Sequence, residues 1–390
     1  MAFSAPTGRR GTVLYEPICR AEEHAPVNAA LAAMVCTAFP GEPVLFLGEK
    51  NHVDCVRSIL AGNAPPELEW GDLDVAPRHD SNWNVHFRSE WSSCRAALRR
   101  RDALGARRLI ACCVSEPGLV ALKAALWLGR GPSMVIIHSV LNSLLSSRSG
   151  ILKLAVGIPP GLRLVVLGEH IQEETLRRVP SLKGRLFALP HPYLMPEDGR
   201  ASAFPESGPV DFSYLGLASP GKGFPLFCRI AQEVLGEDAL RPAAARFRLV
   251  GGIRSEELLA SLPATVELPC GKSAFISQAC YGEQMLQATY TVFPYQRHDY
   301  ELVASGALFD ALVAVKPCIA LRIPLFEKHF EAMGDIGYLC EDEADLLRTV
   351  RMIVKERPAE RYAQQCRNIL EQRAMFSPGV LAQRLAAIIG

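Results

Sequence analysis

The sequence predicts an α/β protein of two tandem Rossmann-like domains, each a parallel sheet covered by helices. Three observations carry that reading. Short apolar runs without polar alternation, such as Val44–Gly48 and Met134–Ile137, recur between helical segments; strands buried on both faces of a parallel sheet have this pattern. The alternation halts at a Pro-, Gly- and Ser-rich stretch from His191 to Pro209 and then restarts. At 390 residues the chain is also long for one hydrophobic core.

In the first domain, residues 1–195, Gly11–Tyr15 is the first strand, followed by a loop bearing Glu22, Glu23 and His24. From Pro26 the spacing of Leu31, Met34 and Val35 predicts a helix that Gly41 ends. Val44–Gly48 is a strand, His52–Leu60 a helix, Leu68–Val75 a strand and Trp91–Leu104 a helix. Arg108–Val114 is a strand, Leu119–Leu128 a helix, and Met134–Ile137 and Leu164–Leu167 are further strands.

The second domain, residues 196–375, repeats the pattern. Phe212–Gly216 is a strand, Phe224–Leu235 a helix, Phe247–Gly252 a strand ending in glycines, and Glu283–Thr289 a helix. Ligands of such sheets bind beyond the strand C-termini, so two of these domains are expected to face a cleft.

Composition excludes several classes. A formal net charge of +1 argues against bulk nucleic-acid binding. The 12 cysteines are scattered with no C-x-x-C pair, so reduced thiols and a cytoplasmic protein are expected. The N-terminal MAFSAPTGRRG has no apolar core, against a signal peptide, and no apolar run is long enough to span a bilayer.

The most informative stretch is Val292–Pro324. A short apolar run stops at Pro294, a polar loop covers Tyr295–Tyr300, and Ser305-Gly306 opens a helix carrying Leu308, Phe309, Leu312 and Val313. Pro317 ends that helix, and Cys318–Ile323 is a strand closed by Pro324. A Ser-Gly pair at a helix start offers free N–H groups, a positive dipole end and close approach to an anion. Asp310, one turn on, is placed to take hydroxyls. A phosphate followed by a diol is the outline of a nucleotide sugar.

The run FPY…SGALFDAL…KP.IA.RIP resembles the donor-binding segment of retaining GT-B glycosyltransferases, the family-4-like enzymes of bacterial polysaccharide assembly. Val165–His170 with Leu189–Tyr193 is similar to the end of the first GT-B domain. Tyr214-Leu-Gly followed by Pro220-Gly-Lys-Gly is similar to the start of the second. Three positions depart from the pattern: Leu302 stands at the first of two acidic positions, with Glu301 one residue out of register; Val315 replaces the glycine before Lys-Pro; and Asp310 replaces the commoner Glu.

The resemblance implies transfer of a sugar from a nucleotide-diphosphate donor to a glycan or lipid-linked acceptor, with retention and without a metal cofactor. It implies donor binding by Gly216, Lys222, Arg297, Ser305, Gly306 and Asp310, with Lys222 against the diphosphate. His138, at a strand end, is implied as the catalytic-side histidine near the donor sugar, and His24 as an acceptor contact. A terminal helix, 376–390, is implied to return to the first domain.

Other readings of the same residues stay open. Gly216–Lys222 satisfies G-x-x-x-x-G-K, but Gly223 stands where a P-loop needs Ser or Thr for Mg²⁺; the stretch also fits a strand-to-helix turn with a surface lysine. His138 fits a hydrogen-bonded structural histidine, His24 a solvated loop, and Arg297 and Tyr295 exposed loop residues. Asp72-Leu-Asp74 has no His or Cys beside it, so no metal is assigned. The basic run Cys94–Arg101, continuing to Arg107 and Arg108, fits a solvated face or attraction to anionic lipid. The rival functions are an NTP-binding P-loop protein and a GT-B-like epimerase or degenerate binding subunit.

Overall fold

The structure, a computed structural model, describes residues 10–76, 82–127, 131–138, 140–197, 199–236, 244–273 and 276–390. Residues 1–9, most of the N-terminal stretch without an apolar core, lie outside them. The described chain divides into two compact units, Met1–Leu194 with Leu302–Ala304 and Met375–Gly390, and Met195–Glu301 with Ser305–Ala374.

The first unit is built from runs of Val, Leu, Ile and Phe that become strands buried on both faces. In chain order it holds β1 (Thr12–Tyr15), α1 (Ala25–Ala38), β2 (Val44–Gly48), α2 (Lys50–Ile59), β3 (Leu68–Asp72), α3 (Trp83–Ala103), β4 (Arg108–Ala111) and α4 (Glu116–Trp127). β5 (Ser133–Ile136), α5 (Leu141–Leu145), α6 (Arg148–Ala155), β6 (Leu162–Val166), α7 (Glu169–Arg178) and β7 (Leu186–Ala188) follow. The seven strands lie parallel in the order β3-β2-β1-β4-β5-β6-β7. The direction of winding reverses between β1 and β4, which makes their C-terminal ends the topological switch point.

The second unit repeats the design with β8 (Val210–Leu215), α8 (Phe224–Leu235), β9 (Ala245–Val250), α9 (Glu256–Ala260), β10 (Val266–Glu267), α10 (Gln278–Gln287) and β11 (Tyr290–Phe293). Next come α11 (Arg297–Tyr300), α12 (Gly306–Val313), β12 (Cys318–Leu321), α13 (Pro324–Met333), β13 (Gly337–Cys340), α14 (Glu343–Glu356) and α15 (Ala359–Gln372). Its parallel order is β10-β9-β8-β11-β12-β13, with the switch point between β8 and β11. Phe212 stacks on Phe247 and Tyr290 at ring separations of 5.2 and 6.2 Å in this sheet's core. The last helix, α16 (Pro378–Ile389), belongs to the first unit and packs along α1.

Four expectations need correction. Cys270 and Cys280 form a disulfide, so the thiols are not all reduced, although ten cysteines are free. The strand at Leu68 stops at Asp72 instead of reaching Val75, and α3 begins at Trp83 instead of Trp91, with Asn82 as its N-cap, whose side chain accepts from Asn84 N–H. The basic run is not one surface. Arg99 and Arg100 are exposed, but Arg101 and Arg108 are buried, and Arg108 pairs with Glu42 at 2.7 Å while lying over the Phe39 ring. Of the readings left open for Tyr295, the exposed-loop one fails, because the residue is buried between Tyr300 and Phe326. Among the described residues no helix is long and apolar enough to cross a membrane.

Candidate functional site

In the second unit, the residues predicted to hold a donor come from two loops at the switch point. β8 runs into Gly216, whose φ of 83° is a conformation that a side chain disfavours. A Cβ built there would lie 3.7 Å from Lys222 Nζ and 3.9 Å from Ala307 Cβ. The ammonium of Lys222 therefore sits over Gly216, beside the first turn of α12. Burial lowers the Lys222 pKa, and the negative charge of Asp310 works against that shift. The sequence put these residues nearly ninety positions apart; the sheet brings them to one place.

The loop 216–223 is laced to the loop after β11. Gln296 N–H donates to Gly221 O at 3.2 Å. Gly223 has φ 68°, and a Cβ there would stand 1.7 Å from Pro294 O, so only glycine fits. A P-loop needs a hydroxyl-bearing residue at that position, and this backbone has no room for one.

Ser305 is the N-cap of α12. Its Oγ accepts from Leu308 N–H at 3.4 Å and lies 3.1 Å from Tyr295 Oη, in a buried pocket. The side chain is thus committed to the helix, and what it leaves for an anion is backbone N–H. A Cβ at Gly306 would meet nothing within 4 Å, so the helix start is open. Asp310 is half-buried and its Oδ2 accepts from Tyr281 Oη at 2.7 Å. Tyr281, from α10, has no helical or motif spacing that announces it. Arg297 is exposed at the start of α11.

Leu302, at the expected acidic position, is buried in the apolar core of the first unit with Ala304. The position is a packing site and supplies no carboxylate. Val315, where glycine was expected, has φ 54°. Its N–H donates to Leu312 O and Lys316 N–H to Ala311 O, closing α12 with the left-handed turn that glycine normally provides.

In the first unit His24 and His138 meet. His138 lies two residues beyond the end of β5; His24 is the N-cap residue of α1, with φ 54°. Their rings lie 5.0 Å apart, edge to face at 72°. A buried polar group surrounds the base of the His24 loop. Glu16 Oε1 accepts from Ile18 N–H, Cys19 N–H and Cys113 Sγ–H, and Oε2 accepts from Asn28 Nδ2. Glu16, Cys19 and Cys113 converge closely enough to hold a metal ion, yet Glu16 is already occupied by these four donors. Asp72 and Asp74 belong to no convergent ligand group among the described residues.

No protein-family profile matches the chain, and no curated protein matches it in sequence. Its fold matches solved structures. HepE of Anabaena, in complex with UDP and glucose, superposes with a TM-score of 0.64 at 11% identity over 96% of this chain and 98% of that one. Sucrose-phosphate synthase of Thermosynechococcus elongatus gives 0.64 at 14% identity, over 97% and 98%. WaaG, a glycosyltransferase involved in lipopolysaccharide biosynthesis, gives 0.64 at 13% identity, over 97% and 99%. The chain has the GT-B fold of two parallel-sheet, Rossmann-like domains.

Proposed function

We propose that this chain is a glycosyltransferase that moves a sugar from a nucleoside-diphosphate donor to a glycan or lipid-linked acceptor, with retention of configuration. The observation that carries the proposal is the convergence of Lys222, Gly216 and the open start of α12, with Asp310 one turn along. A cation and outward N–H groups suit a diphosphate, whose charge grows as the sugar leaves. A carboxylate beyond them suits the paired hydroxyls of a ribose or hexose. HepE binds UDP on the same fold, which makes a uridine nucleotide the first ligand to try.

In this reading Lys222 and the α12 N–H groups stabilise the departing diphosphate, so no metal is required. Ser305 works indirectly, by holding the first turn of α12. Arg297 adds a second cation to the donor phosphates. His138 and His24 contact sugar and acceptor, and the departing phosphate takes the acceptor's proton in a retaining transfer.

Calorimetric titration with UDP, GDP, ADP and their sugar adducts tests the proposal, with Lys222→Ala beside the wild type. Truncating a charge-assisted contact costs about 1.5–3 kcal/mol, so the variant is expected to bind roughly 10- to 100-fold more weakly. Unchanged affinity in a folded variant removes Lys222 from the site. Failure of every nucleotide to bind removes the reading.

A further inference from the structure

The loop from Glu16 to His24 contains no glycine, yet Ala21 and His24 both have left-handed backbones, with φ 47° and 54°. Such conformations persist in non-glycine residues only where surrounding contacts over-determine them. Here the contacts come from α2. The Nδ1 of His52 lies 2.8 Å from Ala21 O, and Glu49 Oε2 accepts from Ala21 N–H at 3.3 Å and from His52 N–H at 2.9 Å. Both polar groups of the left-handed Ala21 are thereby held by residues 28 and 31 positions away.

The network fixes the tautomer of His52. Asn28 Nδ2 faces Glu16 Oε2 at 3.1 Å and His52 Nε2 at 2.9 Å. The carboxylate only accepts, so the amide nitrogen faces both partners and donates to Nε2. His52 is then the neutral Nδ1–H form, and that hydrogen goes to Ala21 O. Glu16, Asn28 and His52 are all buried, so each is oriented by the others rather than by solvent.

We propose that His52, with Glu49, is a positioning residue: it clamps the peptide of Ala21, and the clamped loop delivers His24 against His138. The inference rests on the proposed sugar transfer only for its kinetic consequence; the clamp itself is independent of it.

Two substitutions separate the two ring nitrogens. His52→Asn keeps a donor at the Nδ1 position toward Ala21 O. His52→Gln reaches only the Nε2 position toward Asn28. The readouts are the ring resonances of His24, which carry the ring-current shift of His138, and kcat for sugar transfer with UDP affinity measured alongside. His52→Gln is expected to shift the His24 ring resonances as His138→Ala does. Its kcat is expected to fall on the order of 100-fold, since small misplacements of contact groups have that effect, with UDP affinity unchanged. His52→Asn is expected to retain both. Ala21→Gly, which accepts a left-handed backbone without strain, is expected to restore much of the loss in the His52→Gln background. The proposal is overturned if His52→Gln leaves the His24 resonances unmoved, or if the two substitutions are equally impaired and Ala21→Gly restores neither. Should His52→Gln not fold, Glu49→Gln, which weakens the hold on Ala21 N–H, is read the same way. If the wild type transfers no sugar, the resonances alone decide the clamp, and the functional reading fails separately.

Discussion

Tyr281 Oη donates to Asp310 Oδ2 at 2.7 Å, tying α10 to the second turn of α12. The bond takes one oxygen of the carboxylate and orients the other. Tyr281 follows Cys280, so the Cys270–Cys280 disulfide anchors the helix turn that carries the tyrosine.

Asp310→Asn is expected to weaken nucleotide-sugar binding while the melting temperature of the unliganded protein changes little. The substitution keeps size and one acceptor oxygen but removes the charge. Tyr281→Phe is expected to weaken binding less, by about 1 kcal/mol, because it frees the carboxylate without removing it. Calorimetry and thermal unfolding check both. A variant at Asp310 that unfolds, with the surviving protein binding donor normally, would make the residue structural.

Ser305→Ala separates side chain from backbone at the same helix. It removes an N-cap and a buried partner of Tyr295, so a stability loss of about 1–2 kcal/mol in denaturant titration is expected. Nucleotide affinity in the folded variant is expected to hold, because the N–H groups at Gly306 and Ala307 remain. A large loss of affinity with full stability would assign the hydroxyl to the ligand.

Sugar transfer is expected to survive EDTA. In the proposed reading, Lys222 and the α12 N–H groups supply the positive charge that a divalent cation would otherwise bring. Complete loss of activity on chelation, restored by added metal, would refute that account and reopen Asp72 and Asp74.

Glu90 is expected to give the protein a pH dependence whose sign follows from its burial. Burial raises its pKa to about 7, against 4.5 for a free glutamate; the Ser115 N–H and hydroxyl pull it down, and the charge of Glu16 pushes it up. The folded state therefore holds a proton that the unfolded state releases, and stability falls as pH rises between those values. The cost is absent below pH 4.5 and complete above 7, at about 3 kcal/mol. Glu90→Gln is expected to flatten that part of the stability profile in denaturant titrations from pH 4 to 8. An unchanged slope would show that other groups set it.

The architecture was legible because apolar run length and spacing are local properties. Val44–Gly48 cannot face water on either side, and only a covered parallel sheet accommodates many such runs. The turn glycines at 216 and 223 were legible for the same reason, since each is required by the backbone at its own position, and Ser305 was legible as the N-cap of the helix that Gly306 starts. Lys222, Ser305, Gly306 and Asp310 could be nominated from this local chemistry and from the resemblance.

Tertiary structure decided what those residues touch. Nothing near Tyr281 in sequence points to Asp310, and nothing near His52 points to Ala21; both contacts cross from one helix to another element. Val315 shows the division most plainly. In sequence it is a missing glycine, a departure from the pattern, while the fold keeps the left-handed turn at φ 54° and buries the valine within it. A sequence states which conformation a residue prefers. Whether the surroundings hold it in another is a property of packing, and packing exists only once the distant parts of the chain have met.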